Sequence, residues 1–124
     1  MQSTGGIDKK TGAVLSYLLW WITGIIMLFV GKNDPDVKFH AAQSIVFFGS
    51  ISVIDIIVRI IDTVVGSVSL ALILGLITFV IWIFGVVVWI IALLRANSGG
   101  GQRFDLPLVG GIVRPYAEQI ANSV

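Results

Sequence analysis

The chain has 124 residues, of which 56% are hydrophobic and 12% are charged, and its formal net charge is +1. A typical soluble domain is roughly 45–50% apolar and about 25% charged, so this composition predicts an integral membrane protein that uses lipid as part of its surroundings. The near-neutral charge argues against nucleic-acid binding, and the lack of cysteine with a single histidine excludes disulfides, thiolate metal sites and multi-histidine metal sites.

The first apolar run extends from Ala13 to Val30, after a polar N-terminal tail at residues 1–12. A helix over this run would be about 27 Å long, which just crosses a hydrocarbon core of about 30 Å. The run therefore predicts a first transmembrane helix at about 13–30. We expect it to be retained, since no small-residue cleavage pattern of a signal peptide follows it.

The second helix is predicted from its start signals. Asp34 is placed as the N-cap and Pro35 at the first helical position, and an apolar pattern then continues to about Ile61. Gly66 ends this segment, and a third apolar run follows at about 67–94. Residues 13–94 are therefore predicted to form a transmembrane domain with spans at about 13–30, 35–61 and 67–94.

The C-terminal tail, residues 95–124, contains a predicted flexible break at residues 97–101, Asn-Ser-Gly-Gly-Gly. Apolar residues then recur near helical spacing, which predicts a short amphipathic segment at roughly 115–122 on the membrane surface or on the protein itself. The predicted fold is an all-α membrane protein with three transmembrane helices in an antiparallel bundle plus a short C-terminal amphipathic segment.

Three crossings would place five basic residues beside the first turn and the C-terminal tail, and three beside the other turn and the N-terminus. Because basic residues are enriched in cytoplasmic loops, this bias predicts a cytoplasmic C-terminus.

Polar candidates first appear in the segment Phe39–Ser44. His40, Gln43 and Ser44 are spaced i, i+3 and i+4, so they share one face of a helix. They predict either a polar patch that docks a partner or substrate, or a cluster that packs helices together through hydrogen bonds. We favour the packing cluster.

Asp55 and Arg59 lie one turn apart within the predicted second span. Ionisable residues at membrane depth often mark an ion or proton path. The alternative is an acid–base pair that neutralises itself, with Arg59 extending its side chain to the interface. We favour the second interpretation, because the other predicted spans offer few polar residues for a path.

Three stretches resemble a known family: GAVLSYLLWWITGIIMLFVGKND, VKFHAAQSIVFFG and WIIALLRANSGGGQRFDLPLVGGI. They are similar to a small prokaryotic membrane-protein family of unknown function, related to the twenty-kilodalton component of the chloroplast inner-envelope import translocon. The specific elements are Phe39–Ser44 and Arg103–Gly110. The resemblance implies a helical protein of the prokaryotic plasma membrane and a link to protein translocation. Because both elements fall on one predicted side, we expect Arg103 or Asp105 close to His40 or Gln43.

No convergent set of acids, bases or nucleophiles appears in the sequence, so we expect no enzyme activity, no cofactor, no metal and no small-molecule substrate. The predicted function is that of a small structural or accessory subunit in the lipid bilayer, within a homo-oligomer or a larger membrane complex. The alternative is a component of a protein-translocation or ion-conducting channel, formed as an oligomer or with partners.

Overall fold

The computed structural model describes residues 3–4, 7–31, 33–106 and 109–123. These residues form five helices, in agreement with the expected all-α class: α1 (Lys9–Leu18), α2 (Trp21–Val30), α3 (Pro35–Val65), α4 (Val68–Ser98) and α5 (Gly110–Ser123). Two short strands precede them, β1 (Ser3–Thr4) and β2 (Ile7–Asp8), and pair antiparallel.

Helix α3 begins at the predicted capping residues. The Asp34 carboxylate accepts hydrogen bonds from the backbone N–H groups of Asp36 and Val37, and Pro35 occupies the first turn. The helix ends at Gly66, whose φ of 67° is the left-handed conformation that glycine adopts readily. Helix α4 then starts with the Ser67 hydroxyl accepting from the Leu70 N–H at 3.3 Å.

Helices α3 and α4 are, among the described residues, the two that are long and apolar enough to cross a membrane. Each has 31 residues, or about 46 Å of helix, so both are longer than their predicted spans. They are antiparallel neighbours joined by Gly66 and Ser67. We call the end that carries Pro35 and Ser98 the near end, and the end at the Gly66–Ser67 turn the far end.

The predicted first transmembrane helix at 13–30 is wrong. This run folds as α1 and α2, which have 10 residues each and meet at Trp20, where φ is 57°. Each helix is about 15 Å long, half of a hydrocarbon core. The three-helix antiparallel bundle is therefore replaced by two long helices and a shorter helical hairpin.

Side chains from α3 and α4 form hydrogen bonds with the backbone at the break at Trp20. The Ser44 hydroxyl donates to the Trp20 carbonyl oxygen at 2.7 Å, and the Trp89 ring N–H donates to the Tyr17 carbonyl oxygen at 2.8 Å. Each carbonyl also accepts a backbone N–H, that of Trp20 at 3.2 Å for Tyr17 and that of Gly24 at 3.3 Å for Trp20. The Ser44 and Trp89 side chains are second donors, which anchor the broken backbone to α3 and α4.

The α1–α2 hairpin enters from the near end and returns to it. The Lys9 ammonium at the start of α1 lies 2.8 Å from the Asp36 carboxylate in the first turn of α3. At the tip, the Trp20 ring packs against Phe48 and Trp82, with ring centroids 4.7 and 4.9 Å apart. The prediction that the N-terminus shares a side with the turn between the long helices is therefore also wrong.

Helix α5 lies along the near half of α3 and runs antiparallel to it. Near the start of α5, Ile112 lies beside Phe47, and near its end Asn122 lies beside Pro35. The predicted amphipathic segment at 115–122 falls within α5, which starts five residues earlier. The core thus surrounds the near half of α3, where many fully buried positions are small and let the helices approach closely: Ala13, Ala41, Ala42, Ala92, Ala96 and Ala117.

Candidate functional site

The near half of the molecule contains a buried group of polar side chains. Tyr17 of α1 and His40 and Gln43 of α3 are each 0% exposed. They face the extended segment Gly101–Leu106, which follows α4. We call these three side chains and the backbone groups they contact the polar network.

His40 contacts both α1 and the segment after α4. Its Nε2 lies 3.0 Å from the carbonyl oxygen of Gly101 and 3.0 Å from that of Gln102. Carbonyl oxygens can only accept, so Nε2 carries the hydrogen and Nδ1 is the acceptor. The Tyr17 hydroxyl donates to Nδ1 at 2.7 Å. The network therefore holds His40 as the neutral ring, in one tautomer.

Gln43 completes the network. Its side-chain NH2 group donates to the Tyr17 hydroxyl at 2.9 Å and to the Phe104 carbonyl oxygen at 3.0 Å. Its carbonyl oxygen accepts from the Leu106 N–H at 3.1 Å. Every donor of Tyr17, His40 and Gln43 thus has an acceptor within the chain, as buried polar groups require.

The expected approach of the Arg103–Gly110 element to Phe39–Ser44 is present in the described residues, but the contacts differ from those expected. His40 and Gln43 contact the backbone of this segment. The Arg103 guanidinium instead donates to the Asp36 carboxylate at 3.4 Å and stacks over the Phe39 ring at 4.6 Å. The Asp105 carboxylate accepts from Arg114 of α5 at 3.1 Å.

Ser44 shares a helix face with His40 and Gln43, as its spacing predicts, yet it contacts the Trp20 carbonyl rather than the network. Two further residues were not predicted from the sequence: Tyr17, a member of the network, and Trp89, which donates to the Tyr17 carbonyl oxygen. A tyrosine within an apolar run is itself a signal, because a buried hydroxyl needs a partner. The identity of that partner depends on how α1 packs against α3.

Ion pairs hold the elements together at the near end. Lys9 of α1 and Arg103 of the tail both approach the Asp36 carboxylate, at 2.8 and 3.4 Å. Lys9 is also 3.7 Å from the buried Asp34 carboxylate. The hydrogen bond to Asp36 raises the pKa of the Lys9 ammonium above its usual value, so this group stays charged. These ion pairs hold α1 and the tail against the start of α3.

Asp55 and Arg59 lie apart from the polar network, about 18 Å further along α3 from Gln43. The Arg59 Nε donates to the Asp55 carboxylate at 2.9 Å, and the Arg59 side chain is 77% exposed. Within residues 3–4, 7–31, 33–106 and 109–123, no group of three or more His, Asp or Glu side chains is arranged to hold a metal ion.

The model of a family described as the magnetosome magnetite crystal formation protein family matches residues 8–113. Two proteins of Methanocaldococcus jannaschii named UPF0132 membrane proteins are 35% and 33% identical to this chain. The first match covers 90% of this chain and 71% of the relative, and the second covers 91% and 92%. A UPF0132 membrane protein of Archaeoglobus fulgidus is 36% identical over 86% of this chain and 92% of its own length.

No solved structure matches the chain. The names of the relatives and the two long apolar helices agree on a membrane location. The comparisons do not show a relation to the chloroplast import translocon, and none of the relatives' names states a channel or translocation role.

Proposed function

We propose a non-catalytic, structural or accessory role for this chain, which belongs to the magnetosome magnetite crystal formation protein family. In this role the molecule is a subunit of a homo-oligomer or a larger complex in the prokaryotic plasma membrane. The near half is its rigid part, and the apolar far halves of α3 and α4 contact lipid or neighbouring helices.

The closed polar network carries this proposal. A catalytic or ligand-binding group needs a free donor or acceptor that points towards the ligand. These groups are instead hydrogen-bonded to one another and to backbone groups: the hydroxyl of Tyr17, both ring nitrogens of His40 and the side-chain amide of Gln43. Such a network fixes the positions of α1, α3 and the tail, which is what a packing role requires.

We also propose that the near end faces the cytoplasm. The described near half carries six basic residues: Lys9, Lys10, Lys38, Arg95, Arg103 and Arg114. The far half carries Arg59, which is already paired with Asp55. Because basic residues stay on the cytoplasmic side during insertion, this distribution favours a cytoplasmic C-terminus more strongly than the five-to-three bias of a three-span arrangement.

The family description refers to magnetite crystal formation, which would require contact with an iron mineral. Carboxylates are the side chains suited to such a surface. At the far end, Asp55 is engaged by Arg59 at 2.9 Å, and Asp62 is the one described carboxylate there outside the ion pairs. At the near end Asp36 and Asp105 are engaged by basic side chains. A single unpaired carboxylate at the far end is a poor match for a mineral surface, which supports a role in membrane architecture.

The test is the native mass of the full-length protein extracted in a gentle detergent, measured before and after mild crosslinking in intact membranes. We expect a defined assembly, either several copies of the chain or the chain with another polypeptide at fixed stoichiometry. A chain that remains a monomer under both conditions would contradict a subunit role. Addition of water-soluble candidate ligands should leave the thermal midpoint unchanged, and a saturable shift would argue for binding of a soluble ligand.

A further inference from the structure

An apolar groove runs along α3 on the side of α5 that faces α2. It is an open depression of about 640 Å³ on the surface, lined mainly by Ile45, Val46, Gly49, Val53, Tyr116 and Ile120. Gly49 keeps its floor open, because a Cβ at this position would find its nearest neighbour, the Trp21 Cβ, 3.9 Å away. The groove therefore has room for an apolar chain that the described residues do not fill.

A basic residue stands above this groove at the near end. Lys38 precedes Ile45 by seven residues and Gly49 by eleven, so the three positions lie on one stripe of α3. Lys38 is half-buried and takes part in none of the ion pairs found within the described part of the chain. It also lines a second cavity of about 280 Å³, together with Arg103, Glu118 and Asn122. Arg103 is paired with Asp36 and Glu118 with Arg114, so Lys38 is the charged side chain of this lining outside the described ion pairs.

The distance between the charged and apolar ends of this surface matches one leaflet of a bilayer. Lys38 and Val53 are fifteen residues apart, or about 22 Å along the helix. Half of a bilayer, from its polar surface to its midplane, measures about 20–22 Å. A molecule with an anionic group at Lys38 and an apolar chain along Gly49 would thus have the length of a membrane lipid.

From this arrangement we propose that the groove binds one anionic phospholipid of the near leaflet. Lys38 contacts the headgroup phosphate, since Arg103 beside it is already paired with Asp36. One acyl chain lies against Gly49, between the side chains of Ile45 and Ile120. A cation at the headgroup level attracts anionic lipid, and the apolar lining makes burial of the chain favourable. The site goes beyond the structural role proposed above and does not depend on it.

The experiment uses the purified, delipidated full-length protein in detergent, titrated with phosphatidylglycerol or phosphatidylcholine of identical chains, with bound lipid counted by native mass spectrometry. We expect one tight phosphatidylglycerol per chain and weaker binding of phosphatidylcholine. Lys38→Gln should weaken phosphatidylglycerol binding about fivefold and leave phosphatidylcholine binding unchanged. The matched control is Lys10→Gln, which removes an exposed near-end lysine outside the groove and should have no effect.

The groove itself is tested by Gly49→Leu, which fills it and should weaken binding of both lipids. Its control is Gly75→Leu, because nothing lies within 4 Å of a Cβ added at Gly75. Should Gly49→Leu lower the thermal midpoint, Ser50→Leu fills the same groove from an exposed position. A phosphatidylglycerol with six-carbon chains should bind weakly, since it reaches little of the groove.

Several results would overturn the lipid site. Equal affinity for the two headgroups would show that Lys38 does not select the anionic lipid. An effect of Lys10→Gln equal to that of Lys38→Gln would assign the binding to general surface charge. Undiminished binding to folded Gly49→Leu or Ser50→Leu, or tight binding of the six-carbon lipid, would remove the groove. A dimer that forms as lipid leaves, and that Gly49→Leu abolishes, would assign the groove to a second copy of the chain.

Discussion

The Tyr17 hydroxyl lies 2.7 Å from Nδ1 of His40, and this contact joins the short helix α1 to the long helix α3. The opposite nitrogen of the same ring contacts the Gly101 and Gln102 carbonyl oxygens. One imidazole therefore connects the N-terminal hairpin, the first long helix and the tail. These three parts are far apart in the sequence, and their mutual positions depend on hydrogen bonds that are shielded from water.

We predict that Tyr17→Phe destabilises the protein by about 1–3 kcal/mol, because it leaves the His40 Nδ1 and one Gln43 N–H buried without partners. The measurement is thermal or denaturant unfolding in detergent. Tyr116→Phe is the matched control, since Tyr116 is 57% exposed, and it should change stability little. Equal stability of wild-type protein and Tyr17→Phe would show that the network contributes nothing to folding.

Gln43→Leu should release the Gly101–Leu106 segment while α3 stays folded. The change removes the acceptor for the Leu106 N–H and the donor to the Phe104 carbonyl. We expect faster hydrogen exchange at residues 102–106, measured by mass spectrometry, because local opening exposes backbone amides to exchange. Gln119→Leu changes an exposed glutamine on α5 and should leave that segment protected. If Gln43→Leu leaves the segment protected as well, other contacts hold the tail.

Ser44→Ala tests the break at Trp20. The Ser44 hydroxyl is the side-chain donor to the Trp20 carbonyl oxygen. Because this carbonyl keeps the Gly24 N–H as a donor, loss of the hydroxyl should cost about 0.5–1.5 kcal/mol, the net contribution of one hydrogen bond. Ser50→Ala is the control, because the Ser50 hydroxyl bonds a carbonyl of its own helix, that of Val46. We expect a lower unfolding midpoint for Ser44→Ala than for Ser50→Ala. The reverse order would contradict this role of Ser44.

The start of α3 follows from local chemistry and was predicted, whereas the helix continues to Val65, four residues beyond the predicted end at Ile61. Asp34 and Pro35 are start signals, and Gly66 provides the left-handed residue that ends the helix. The break at Trp20 could not be predicted in this way. Hydrophobicity measures how well a run tolerates lipid, and it is the same for one span and for a hairpin. The side chains that stabilise the break, Ser44 and Trp89, belong to other helices.

The candidate site was predictable to a similar degree. Helical spacing grouped His40 with Gln43, and the resemblance placed the tail near them. Spacing within one helix carries no information on a partner from another element, so Tyr17 was missed. Arg103 or Asp105 was expected close to His40 or Gln43. The backbone of their segment lies there, while their side chains form ion pairs with Asp36 and Arg114 respectively.

The helical hairpin predicts that both chain ends lie on one side of the membrane. The sequence contains no cysteine, so single cysteines can be introduced at the exposed positions Lys10, Gln102 and Thr63 and labelled with a membrane-impermeant maleimide. Since Lys10 and Gln102 lie at the near end, we expect both to react only after the cells are opened, whereas Thr63 near the far end reacts in intact cells. Reaction of Lys10→Cys together with Thr63→Cys would restore a third crossing and contradict the hairpin. If Lys10→Cys and Gln102→Cys react in intact cells and Thr63→Cys reacts only in opened cells, the hairpin is retained and the near end faces outwards.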